Sequence, residues 1–193
     1  RHLIAVSVLC TALFATSYAR PLTFQQYFTA SLPTDEVADL YQDSEGFMWI
    51  VTYNGLVRYD GYDTVTYTRL SNQDDSFEGW LHVMAEGHDG KLYIGTERGI
   101  LTLDKSNNYL EKLDDVMTAD LNVTDIVVDS IGRVGTGGDK GIFRSDASGK
   151  FSNVDLSRPS TGRALTDIID LLIDDRGNLW ITSWHRGLYR YDL

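Results

Sequence analysis

The stretch Asp43-Ser-Glu-Gly46-Phe-Met-Trp49-Ile-Val-Thr52-Tyr-Asn-Gly55-Leu-Val-Arg58-Tyr59-Asp60 decides the fold, because the chain repeats it. A second copy runs from Asp89 and Gly90 through Tyr93, Thr96 and Gly99 to Asp104. A worn third runs from Asp129 through Gly132, Gly135 and Gly141 to Asp146. The fourth runs from Asp174 through Gly177, Trp180, Ser183 and Gly187 to Asp192. The turn glycines 46, 90, 132 and 177 are spaced 44, 42 and 45 residues apart. A period of this size is the mark of a supersecondary unit that buries its faces against copies of itself.

Each copy has the pattern of a four-stranded antiparallel sheet. Strand A is the apolar run before the acidic turn: Val37–Gln42, Leu81–Glu86, Val123–Val128 and Ile168–Ile173. A glycine turn leads to strand B, at Met48–Thr52, Leu92–Thr96, Val134–Gly138 and Leu179–Ser183. A second glycine leads to strand C, at Leu56–Tyr59, Ile100–Leu103, Ile142–Ser145 and Leu188–Tyr191, and a polar turn leads on to strand D. Strands A and B are apolar at adjacent as well as alternate positions, which suits sheets covered on both faces. An all-β propeller of four-stranded antiparallel blades is the expected fold. Leu22–Phe28 reads as a lone leading strand, followed by blades at 35–70, 80–113 and 123–154 and a partial blade at 166–193. About four blades are expected, as a piece of a larger ring.

Composition narrows the function. The 193 residues carry 17 Lys+Arg against 28 Asp+Glu, a formal charge of −11. That field repels phosphate backbones, so no nucleic-acid partner is expected. One cysteine excludes a disulfide framework and a thiol pair. Residues 1–19 read as a secretory signal: Arg1 and His2, an apolar run from Leu3 to Ala15, then Ser17-Tyr18-Ala19 before cleavage at Arg20. Cys10 lies inside this run behind Val8 and Leu9, which do not make a lipidation site. Cleavage leaves 16 basic against 28 acidic residues, a formal −12.

The elements Asp-x-x-Gly-x-x-Trp-Ile-x-Thr-x-x-Gly-Leu-x-Arg-Tyr-Asp resemble the two-component-regulator propeller repeat. The match spans 22–193 and is sharpest in copies one and four; in copy three Gly135 replaces the aromatic. The opening of the chain resembles the sensor half of the hybrid two-component systems common in gut Bacteroidetes. The resemblance implies a signal peptide, two seven-bladed propellers, an immunoglobulin-like domain, a membrane helix and a histidine kinase with receiver and DNA-binding domains. It implies an extracytoplasmic sensor, often for oligosaccharides, tethered to the membrane by downstream regions and able to form a homodimer. An output read from fold analogy alone remains analogy.

The recurring Gly46, Trp49, Gly90, Tyr93, Gly177 and Trp180 are read as structural, since a turn and a packing slot must be copied in every blade. Function is sought where the copies differ. The B–C turns and the D–A connections (71–80, 114–121 and 156–166) open on one face of a propeller. The B–C turns carry Tyr53-Asn54, Glu97-Arg98, Asp139-Lys140 and Trp184-His185-Arg186. The candidate ligand-binding residues are therefore Tyr53, Asn54, Arg98, Trp184, His185 and Arg186. Trp184, His185 and Arg186 join an aromatic, an imidazole and a guanidinium in a turn one residue longer than the others. They could stack a sugar ring and hydrogen-bond its hydroxyls. The alternative is that Trp184 packs on the adjacent blade and Arg186 is a solvated charge. Trp80, at the start of a strand A, is read as core packing.

No catalytic residue, metal site or cofactor is expected. His82, His88 and His185 lack ligand spacing. Asp74-Asp75 and Asp114-Asp115 read as solvated loop carboxylates, and the acidic turns do not alternate ligands as calcium loops do. Asn122-Val-Thr fits a glycosylation sequon, and Asp175 to Trp180 partly fits the Asp-box turn of sialidase propellers. A sensor module is the favoured function; a secreted glycan-acting enzyme or an interaction scaffold are the alternatives.

Overall fold

The computed structural model describes residues 32–70, 79–107, 109–113, 115, 117–156 and 164–192. The expected signal segment at 1–19 and leading strand at 22–28 lie outside the described residues. Among the described residues, fifteen strands form four antiparallel sheets, each in chain order, and there is no helix. The first sheet is β1 (Val37–Gln42), β2 (Met48–Thr52), β3 (Gly55–Tyr59) and β4 (Thr64–Tyr67). The second is β5 (Leu81–Glu86), β6 (Leu92–Thr96), β7 (Gly99–Leu103) and the short β8 (Glu111–Lys112). The third is β9 (Val123–Val128), β10 (Val134–Gly138), β11 (Gly141–Ser145) and β12 (Phe151–Asn153). The last has three strands, β13 (Ile168–Ile173), β14 (Asn178–Ser183) and β15 (Gly187–Asp192). The β-propeller expectation holds, with four blades in sequence.

The core lies between blades. Trp49, Val51 and Leu56 of the first blade meet Leu81, Met84 and Leu92 of the second. Ala85 and Ile100 of the second meet Val123, Ile126 and Val134 of the third. Ile142 of the third meets Ile168, Leu171 and Leu179 of the fourth. Every interior blade thus buries both faces, which is why strands A and B lack simple alternation.

The four strands A lie side by side, and each carries a bulge at its second residue. A bulge re-aims the side chains around it. His82 Nδ1 lies 2.9 Å from the Val123 carbonyl oxygen, and the Thr124 hydroxyl donates to the Ile168 carbonyl at 2.7 Å. Asp39 accepts the Met84 N–H at 3.0 Å, and Asp125 accepts the Leu171 N–H at 2.6 Å. On the A–B turn side, Lys105 reaches Glu86 at 2.6 Å, Glu45 at 2.9 Å and Asp43 at 3.4 Å. This partly buried three-carboxylate cage ties the first blade to the second and raises the Lys105 pKa well above its ordinary value, through its hydrogen bonds to Glu86 and Glu45 and the Asp43 charge outweighing the opposing cost of burial.

The repeated aromatics prove to be turn clamps. The Asp43 carboxylate accepts the N–H groups of Glu45 and Phe47 and the indole N–H of the fully buried Trp49. Asp174 does the same for Arg176, Asn178 and Trp180. In the second copy the acid has moved two places along the turn. Gly87 stands where Asp43 stands, and the Tyr93 hydroxyl, longer in reach than an indole, donates to Asp89 at 3.1 Å. A Cβ on Gly87 would come within 2.7 Å of the Tyr93 ring, so that exchange requires glycine. Burial and the Asp89 carboxylate push the Tyr93 hydroxyl up to about 12. In the third copy Gly135 offers no ring, and Asp129 takes the Arg133 guanidinium at 2.7 Å instead.

Candidate functional site

One hydrogen bond, made four times, builds the face that carries the variable residues. The N–H of the first B–C turn residue donates to the carbonyl of the residue just before strand A: Tyr53 to Glu36, Glu97 to Trp80, Asp139 to Asn122 and Trp184 to Asp167. Each B–C turn is therefore fixed beside the end of its own D–A connection. The Thr52 and Thr96 hydroxyls back this up by donating to the Gly55 and Gly99 carbonyls at 2.7 and 3.0 Å.

The first and second blades meet on this face in an aromatic pair. Tyr53 stacks on Trp80 with ring centroids 5.2 Å apart and planes 21° from parallel. Trp80 is 55% exposed. The expectation that Trp80 packs in the core is corrected here. Strand A enters the core at Leu81, fully buried, and Trp80 one residue earlier gives its carbonyl to the turn and turns its ring outward. The signal for this was in the sequence: polar Glu36, Asn122 and Asp167 hold the equivalent places, and only here is there a large ring. Asn54 is exposed next to Tyr53.

In the fourth blade the longer turn presents its side chains outward. His185 adopts φ +63°, the left-handed backbone that a three-residue hairpin loop needs, and Gly187 follows at +84°. Trp184 is 61% exposed and meets the His185 ring edge-on at 5.4 Å. The Arg186 guanidinium donates to the Ala164 carbonyl at 3.0 Å, tying the turn to the chain entering the blade. Arg98 is exposed and reaches its neighbour Glu97 at 3.5 Å. The structure thus brings Tyr53 to Trp80 and Trp184 to His185. No ring contact or ion pair among the described residues joins these two pairs or links Arg98 to either.

Chemically, the exposed Trp80 ring over Tyr53 and the exposed Trp184 ring each offer a flat apolar surface, with Asn54 next in sequence to the first and His185 and Arg186 next to the second. Such surfaces suit the apolar face of a pyranose ring, with the neighbouring polar groups left for its hydroxyls. Among the described residues no group of three or more His, Cys, Asp or Glu side chains could hold a metal ion. No helix among them is long and apolar enough to cross a membrane.

A family model described as "Two component regulator propeller" matches residues 31–54, the start of the first copy. Among curated proteins none matches the sequence. Among solved structures, the chain is similar to the extracellular domain assigned to the hybrid two component system BT3049 of B. thetaiotaomicron, at 21% identity and TM-score 0.66 over 84% of this chain and 24% of that one. It is similar also to the extracellular domain assigned to the one component system BT4673 of the same organism, at 23% identity and TM-score 0.54, over 81% and 26%. Virginiamycin B lyase from Staphylococcus aureus shares the fold at 16% identity and TM-score 0.59, over 84% and 58%. The chain spans about a quarter of the two extracellular domains. These likenesses establish the fold, and the match at 31–54 identifies the first copy as a two-component-regulator propeller repeat.

Proposed function

We propose that this chain is the ligand-sensing propeller of an extracytoplasmic two-component receptor, and that its ligand is an oligosaccharide. The Tyr53–Trp80 stack carries this reading: the exposed Trp80 ring, backed by half-buried Tyr53, leaves a large aromatic surface in water on the variable face, which is what sugar binding needs. The propeller repeat and the likeness to extracellular domains assigned to two component systems support the receptor part. On this reading the segment binds without turnover, behind a cleaved signal at 1–19 and in the periplasm. It passes occupancy to a membrane-tethered kinase encoded downstream, within a receptor that can pair as a homodimer.

Sequencing the gene past Leu193 tests the receptor part. A membrane helix followed by a kinase is the expected result. A reading frame that stops soon after Leu193 would overturn it.

A further inference from the structure

The aromatic pair between the first two blades is bracketed by two glutamates. In each blade the residue before strand A sits opposite the first residue of the B–C turn, one step beyond the ladder pairs Val37–Thr52 and Leu81–Thr96. The Tyr53 N–H donates to the Glu36 carbonyl at 3.3 Å and the Glu97 N–H to the Trp80 carbonyl at 3.2 Å, which fixes both pairings. In the first blade the pair is Glu36 with Tyr53; in the second the order is reversed, Trp80 with Glu97. Residues opposite one another in this way have Cβ atoms about 5 Å apart and project to one side. The two rings meet across the seam between the blades, 5.2 Å apart, and each has a carboxylate as its partner on its own blade.

Neither carboxylate is used by the fold. The Glu36 side chain is exposed and makes no hydrogen bond or ion pair among the described residues; only its backbone is engaged, with Thr34 and Tyr53. Glu97 is half-buried, and its carboxylate has only the Arg98 guanidinium, at 3.5 Å. Arg98 is 73% exposed, so water and salt screen that contact. A carboxylate accepts a sugar hydroxyl in a shorter, stronger bond than a neutral acceptor makes. It repels a uronate or a sulfate, and the formal charge of −11 adds to that repulsion.

We infer that Glu36 and Glu97 are specificity-determining residues of the Tyr53–Trp80 site, each accepting a hydroxyl at one end of the stacked pair, and that the site takes oligosaccharides without acidic groups. This rests on the oligosaccharide reading above and narrows its ligand.

A glycan array carrying neutral hexose oligosaccharides, each beside its C6-oxidised uronate form, tests this on the full chain, with titration calorimetry on the best neutral binder. Wild type should bind neutral members and hold their uronate forms at least about tenfold more weakly. Glu36→Gln and Glu97→Gln keep the side-chain shape and the backbone bonds. Each should weaken the neutral binder about tenfold, the step from a charge-assisted hydrogen bond to a neutral one. The double variant Glu36→Gln/Glu97→Gln should also lose most of the preference for neutral over uronate forms. Equal or tighter binding of uronate forms by wild type would overturn the inference, as would glutamine variants that keep wild-type affinity and preference. Trp80→Ala separates the two readings. Neutral binding that Trp80→Ala abolishes and the glutamine variants leave intact overturns this inference alone, whereas no binding of any oligosaccharide overturns the sugar reading with it.

Discussion

The Trp49 indole N–H donates to the Asp43 carboxylate at 2.8 Å, with both side chains out of water. This pair converts a six-residue spacing in the sequence into a clamp that closes the A–B turn and seats the ring between two blades. Asp43→Ala removes three hydrogen bonds, orphans a buried indole N–H and leaves Lys105 with one partner fewer. The expected cost is about 3 kcal/mol. Trp49→Phe keeps most of the packing and should cost less, about 1–2 kcal/mol. Urea titration of both variants checks the order; equal or reversed losses would count against the clamp.

The third copy carries a second local defect. Thr136 is fully buried in the place of Ile50 and Ile94, and its hydroxyl has no hydrogen-bond partner among the described residues. Thr136→Val swaps that hydroxyl for a methyl of nearly the same shape. The variant should be more stable by about 1 kcal/mol, read as a rise in the denaturation midpoint at unchanged slope. A loss of stability would mean that the hydroxyl is satisfied in solution.

Stability should also respond to pH with two signs. Burial between the inner strands, and the nearby Asp170 carboxyl, push Asp125 up to about 7. In the unfolded chain it titrates near ~4. The folded state therefore binds the extra proton between these values, and this contribution to stability is lost as pH rises from about 4 to about 7. Asp43, Asp129 and Glu86 lie below the ordinary carboxylate range because hydrogen bonds and the neighbouring Lys105 or Arg133 outweigh their burial. Their contribution is lost instead as pH falls below about 4. Thermal melts from pH 4 to 8 should show a decline up to about pH 7, levelling above it, that Asp125→Asn removes. An unchanged slope in that variant would refute the assignment.

Much of the fold could be read from residues alone, because turn glycines and apolar runs are local signals. The spans expected for strand A coincide with β1, β5, β9 and β13. The bonds that join blades were not legible. His82, Thr124 and Asp125 reach the neighbouring strand only because a bulge turns them there, and a bulge leaves no mark in a hydrophobic pattern. The second copy's acid was equally hidden, since Asp89 matches the motif in identity yet occupies a different place in the turn. In the candidate site, the B–C turn residues stand out by their variation between copies. Trp80 was missed because its position beside a strand was weighed above its replacement of a polar residue.

The direct test of the account is glycan-array binding of the full chain against the double variant Tyr53→Ala/Trp80→Ala, with Trp184→Ala alongside. Trp80 and Trp184 are exposed and Tyr53 is half-buried at a turn, so folding should be retained, as a near-wild-type melt would verify. The account predicts that wild type binds a defined set of oligosaccharides and that the double variant loses at least about tenfold in affinity, a loss of ~1.4 kcal/mol or more. Wild-type binding that the double variant retains in full, or no oligosaccharide binding by wild type, would contradict it.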